Sequence, residues 1–201
     1  MDAAPSIRGL RMSIFEKAIT DAHSTIDSLR PLRSVLECAA KTVGECLTEG
    51  GKLLVAGNGG SAADGADFAT EYACRFVTDR QPYPALNLAA CGSLLTATGN
   101  DYGYEQVFAR QVRAFGKKGD VLVVITTSGN SPSILATVSA AQAAGLHTIA
   151  LLGRDGGQAR GLAELELIVP STITARIQEA HKFLLHTICE IVEADYLLAR
   201  G

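Results

Sequence analysis

Apolar residues near the start of the chain recur at spacings of three and four. Ile14, Phe15, Ala18, Ile19 and Ala22 form one series; Val35, Leu36, Ala39, Ala40, Val43 and Leu47 form a second. This is the period of an amphipathic helix. Pro31 lies between the two series, and its ring disfavours helical geometry in the residue before it. The pattern predicts an antiparallel helical hairpin over residues 12–49. Residues 1–11 read as an extension, with Met12 as an alternative start.

The period then changes. Short, nearly all-apolar runs at Lys52–Ala56, Pro84–Ala89, Gly119–Thr126, His147–Leu152 and Glu164–Val169 predict five strands. Helical stretches are expected at Ser61–Phe76, Ser131–Ala144 and Thr174–Leu198. Strands apolar on both faces, alternating with helices, imply a parallel sheet covered on both sides. The expected fold is therefore α/β, a five-stranded parallel sheet flanked by helices, in one domain spanning the chain. Such sheets bind ligands at the carboxyl ends of their strands, near a switch in strand order. The loops after strands one and three are the places to look.

Composition narrows the function classes. With 47% hydrophobic residues among 201, the chain is too apolar to be disordered. A net charge of -3 argues against nucleic-acid binding by bulk charge. Aromatics are 5%, with no Trp, which leaves no ladder for stacked bases. No apolar run is long enough to span a bilayer, and the first residues have no apolar core of a secretory signal. Cys38, Cys46, Cys74, Cys91 and Cys189 are odd in number with no CxxC spacing. They read as buried, reduced thiols of a cytoplasmic protein.

Three loops carry candidate chemistry. Gly57-Asn58-Gly59-Gly60-Ser61 follows strand one. Its glycines allow close backbone approach, and Ser61 is placed to cap the next helix, whose free N–H groups attract anions. A plain strand–helix turn needs the same residues. The loop matches neither GxGxxG nor a Walker sequence. Thr126-Thr127-Ser128-Gly129-Asn130-Ser131 follows strand three and crowds four hydroxyls into one turn; an ordinary cap needs one. Gly99-Asn100-Asp101 reads as a turn whose polar pair suits sugar hydroxyls. Two hydroxyl-rich loops at one sheet edge point to a sugar phosphate.

Two helices add titratable groups. Asp67 and Glu71 are four apart, so both carboxylates share a helical face. Asp64 precedes them, and a solvated acidic face is the plain alternative. Gln178 and His186 are eight apart, roughly 80° apart on the helical wheel, and both can border one cavity. His181 falls on the other side of Gln178. Leu184, Leu185 and Ile188 around His186 suggest partial burial, which a structural histidine shares.

GNGGSAAD, TTSGNS and TARIQEAH, in this order and spacing, make the chain resemble the sugar isomerase (SIS) family, most closely its phosphoheptose isomerase branch. The resemblance covers nearly the whole chain and implies a flavodoxin-like three-layer sandwich. It implies substrate contacts at Asn58, Gly59, Gly60, Ser61, Glu71, Asn100, Asp101, Thr126, Thr127, Ser128, Ser131 and Gln178. It implies a Zn²⁺ site from Asp67, Glu71, Gln178 and His186, where Asp67 stands in place of the family's His. Carboxylates do ligate zinc, but a harder site also suits other divalent metals. The implied reaction is aldose–ketose isomerisation of a seven-carbon sugar phosphate through an enediol, with Glu71 as base and His186 as its acid/base partner. A homotetramer is implied as well. Close non-catalytic relatives that assist a replication initiator lack the catalytic Glu and His, both of which stand here. A regulatory sugar-phosphate sensor, or an isomerase of another sugar phosphate, are the remaining alternatives.

Overall fold

A computed structural model describes residues 7–198, with side chains from Ser13 onward. The first helix, α1, runs Ile7–Asp27 and so begins ahead of Met12; residues 1–6 of the expected extension lie outside the described residues. A 3-10 turn, Arg30–Leu32, carries Pro31 and leads into α2, Arg33–Thr48. Both helices pack against the terminal helix α7, Thr174–Val192, which runs on into a π turn at Glu193–Leu197.

The five strands are β1 (Leu53–Gly57), β2 (Ala85–Asn87), β3 (Val121–Thr126), β4 (His147–Gly153) and β5 (Leu165–Val169). They form one parallel sheet in the order β2-β1-β3-β4-β5. The chain turns from one side of β1 to the other, so the switch lies between β1 and β3. That is where a parallel sheet opens a crevice at its carboxyl edge.

Strand side chains alternate between two cores. Leu53, Val55, Val123, Ile125 and Leu151 face α2, α7 and α3 (Gly60–Ala73). Leu54, Ala56, Leu122, Val124 and Leu152 face the other layer, which holds α5 (Ala109–Phe115) and α6 (Pro132–Ala143). Burial on both faces is why these strands read as continuous apolar runs rather than alternating ones.

Two helices, α4 (Gly92–Tyr102) and α5, lie where no element was expected. Gly99, Asn100 and Asp101 therefore belong to the last turns of a helix, not to a turn between elements. The break comes at Gly103, whose φ is 86°. The cysteines also depart from expectation. All five are free, but Cys38, Cys74 and Cys91 are exposed and only Cys46 and Cys189 are buried. Among the described residues no helix is long and apolar enough to cross a membrane.

Candidate active site

The loops after β1 and β3 meet through one side chain. Asn58 Nδ2 donates to Ser131 Oγ at 2.9 Å and to Ser133 Oγ at 3.0 Å. Its Oδ1 accepts from the hydroxyl of Tyr104 at 2.8 Å. Below this bridge lies a cavity of 150 Å³ lined by Asn58, Ser61, Ile125, Thr126, Thr127, Ser128 and Ser131. Its lining includes no lysine or arginine. The N-termini of α3 and α6 begin at these same loops, and the positive ends of the two helix dipoles favour an anion there. A volume below the usual range for whole small-molecule pockets suits a phosphoryl group better than an entire sugar.

The backbone fixes the hydroxyls. Gly59 caps α3 with φ 55° and no side-chain bond, so Ser61 is not the cap expected from the sequence. It sits inside the first turn, buried, with its hydroxyl at the cavity. The buried Thr126 Oγ1 accepts from Gly129 N at 3.3 Å, and Ser128 Oγ accepts from Asn130 N at 3.2 Å. Each hydroxyl thereby keeps its proton available to a ligand. Gly129 has φ 66°, and a Cβ there would strike the carbonyl of Gly156. Only glycine lets the loop after β3 touch the one after β4.

Asn100 and Asp101 are exposed and do not line the cavity; Asn100 Nδ2 donates to Asp101 Oδ1 at 2.8 Å. The residue from that segment that reaches the site is Tyr104. Ser133 is a second group that sequence reasoning missed, although it follows Ser131 by only two positions.

The other candidates lie on α3 and α7, which run side by side. Gln178 lies over Gly60, where its amide fills the space that a Cβ would take. One turn further, Lys182 Nζ bridges Asp64 Oδ1 at 3.2 Å and Asp67 Oδ2 at 2.5 Å. Further on, the ring of His186 lies 5.8 Å from that of Phe76. Glu71 and His186 are both half-buried. Arg80 Nη2 donates to the Glu71 carbonyl at 2.6 Å and so fixes the end of α3. Lys182 is pulled down by burial, but hydrogen bonds and the charges of both aspartates outweigh this and raise its pKa above the ordinary value.

His181 points the opposite way. It is fully buried, with Nε2 3.1 Å from the Leu152 carbonyl of β4. That carbonyl can only accept, so Nε2 carries the proton. Burial lowers the imidazole pKa, against smaller upward effects from the Leu152 carbonyl and Asp64. It is a neutral structural histidine.

The zinc set implied by the resemblance does not fit this arrangement as it stands. The Asp67 carboxylate is engaged by an ammonium group and is 65% exposed. Among the described residues no three His, Cys, Asp or Glu side chains gather as a metal-binding group. A larger cavity, 630 Å³, lies beside Gly50, Arg80 and Tyr83. It sits at the amino ends of β1 and β2, away from the edge where parallel sheets bind ligands.

Known proteins match the chain over most of its length. Residues 17–153 match the SIS domain family. A phosphoheptose isomerase from Geobacter sp. (strain M21) is 48% identical over 167 residues, covering 83% of this chain and 87% of that protein. The structure of phosphoheptose isomerase GmhA from Neisseria gonorrhoeae superposes with a TM-score of 0.84 at 40% identity, over 94% of this chain and 100% of that one. A phosphoheptose isomerase from Francisella tularensis gives 0.86 at 38% identity, over 95% and 100%. A hydroxyl-lined cavity at the sheet switch, two helices of titratable groups beside it and these relatives lead to one assignment: the chain belongs to the SIS domain family, in its phosphoheptose isomerase branch, and is a sugar-phosphate isomerase.

Proposed function

We propose that the substrate is sedoheptulose 7-phosphate and the product D-glycero-D-manno-heptose 7-phosphate. The observation that carries this reading is the 150 Å³ cavity bridged by Asn58. Its donors receive the phosphate, while the Gly60–Gln178 contact leads from the same loop to the α3–α7 face. A phosphate held at one end positions the carbonyl end for reaction and removes much of the orientational cost.

Glu71 takes the proton from the carbon next to the carbonyl, the carbonyl oxygen gains a proton, and the substrate becomes an enediol. His186 moves a proton between the two oxygens. The proton then returns to the neighbouring carbon and the aldose is released. Positioned acid–base groups of this kind contribute about 10²–10⁴-fold. A homotetramer working in the cytoplasm belongs to the same reading, supported by the branch resemblance. The test is incubation of the purified chain with sedoheptulose 7-phosphate and identification of the aldose. A chain that leaves this ketose untouched while isomerising a shorter sugar phosphate would overturn the substrate assignment and leave the reaction class standing.

A further inference from the structure

We infer that Lys182 takes the place of a divalent cation between α3 and α7, so that Asp67 is not a metal ligand in this chain. The inference rests on reading the α3–α7 face as part of the isomerase site, while its test reads metal binding and not turnover.

Gln178, Lys182 and His186 follow one another at intervals of four on α7, so they form a column along one face. Asp64, Asp67 and Glu71 form the neighbouring column on α3 at intervals of three and four. Lys182 stands in the middle of its column, between the Gln and the His that the family resemblance assigns to a metal. Its ammonium reaches two carboxylates at once, at 3.2 and 2.5 Å. The Asp64 side of the contact is sheltered, at 13% exposed, whereas Asp67 is 65% exposed and Lys182 lies between them at 27%.

A compact ammonium is a point charge with three donors and no capacity to accept. It satisfies carboxylate oxygens as a small cation does, but it cannot share them with one. A metal at Asp67 has to displace the ammonium from its shorter contact and sit beside a second positive charge. Asp64 reinforces the pairing. Its Oδ2 is buried with no hydrogen-bond partner, so the Lys182 charge on Oδ1 is the compensation this side chain has. The aspartate at position 67 and the lysine at 182 thus read as one unit, a carboxylate and the cation that neutralises it.

The experiment is zinc chloride titration, by calorimetry, of the untagged full-length chain after chelator treatment, with elemental analysis of the same sample. The parent is expected to take up no stoichiometric zinc. Lys182→Met, which keeps the stem and removes the charge, is expected to bind zinc at least about tenfold more tightly. Circular dichroism checks that the variant is folded. If it is not, the parent titration decides alone. One zinc per parent chain, lost in Asp67→Asn, would overturn the inference. A folded Lys182→Met that gains no affinity would overturn it too, because the lysine would not then be what excludes the metal.

Discussion

Asn58 shows how one side chain ties the cavity loops together. Because Tyr104 donates to its Oδ1, its Nδ2 is turned toward Ser131 and Ser133. The hydroxyl cluster after β3 was legible in the sequence, since its density exceeds what a helix cap requires, whereas Asn58 stood out only through the family resemblance. Tyr104 and Lys182 were not legible, because their partners lie 46 and at least 115 residues away and only the fold brings them together. Thr127→Ala and Ser128→Ala are expected to raise KM while leaving kcat nearly unchanged, because a remote phosphate is held equally in ground and transition states. Steady-state kinetics on both variants checks this, and unchanged KM in both would place the phosphate elsewhere. His181 gives a pH effect. Its folded pKa lies below the unfolded value of about 6.5, so the unfolded chain binds the proton first and stability falls as pH drops through about 6.5. Denaturant midpoints measured from neutral pH downward should fall for the parent and fall less steeply for His181→Gln. Equal slopes would show that His181 is not held neutral.

The strands of the central sheet and the long terminal helix were legible because burial on two faces leaves a continuous apolar signature. The edge strand β2 was legible too, but only three residues of its expected six pair. Helices α4 and α5 were missed. The α4 segment is rich in Gly and Thr and buries only Thr98, while α5 is seven residues long. Gly99 in its interior looked like a turn, and the break falls instead at Gly103. Contacts between loops are set at the same scale. Gly129→Ala combines a positive φ with a clash against the Gly156 carbonyl. It is expected to cost at least about 1–3 kcal/mol of stability, together with weaker phosphate binding. Urea unfolding of this variant measures the first effect, and parent-like stability would mean that the loops do not meet as described.

At the scale of the molecule, one sheet edge gathers a hydroxyl-lined cavity and the two helices that carry Glu71 and His186. Away from that edge, Ile14 and Phe15 on α1 are 64% and 60% exposed, and Phe183 on α7 is 48% exposed. Large apolar side chains left open on neighbouring helices favour association, and light scattering should give a mass of several chains at micromolar concentration. A stable monomer would exclude the proposed tetramer. The most direct test of the account as a whole is turnover of sedoheptulose 7-phosphate in deuterated water by the parent and by Glu71→Gln. The account predicts an aldose product carrying deuterium at the carbon next to the carbonyl, and a rate lower by roughly 10²–10⁴ in the folded variant. No conversion by the parent, or a parent-like rate in Glu71→Gln, would contradict it.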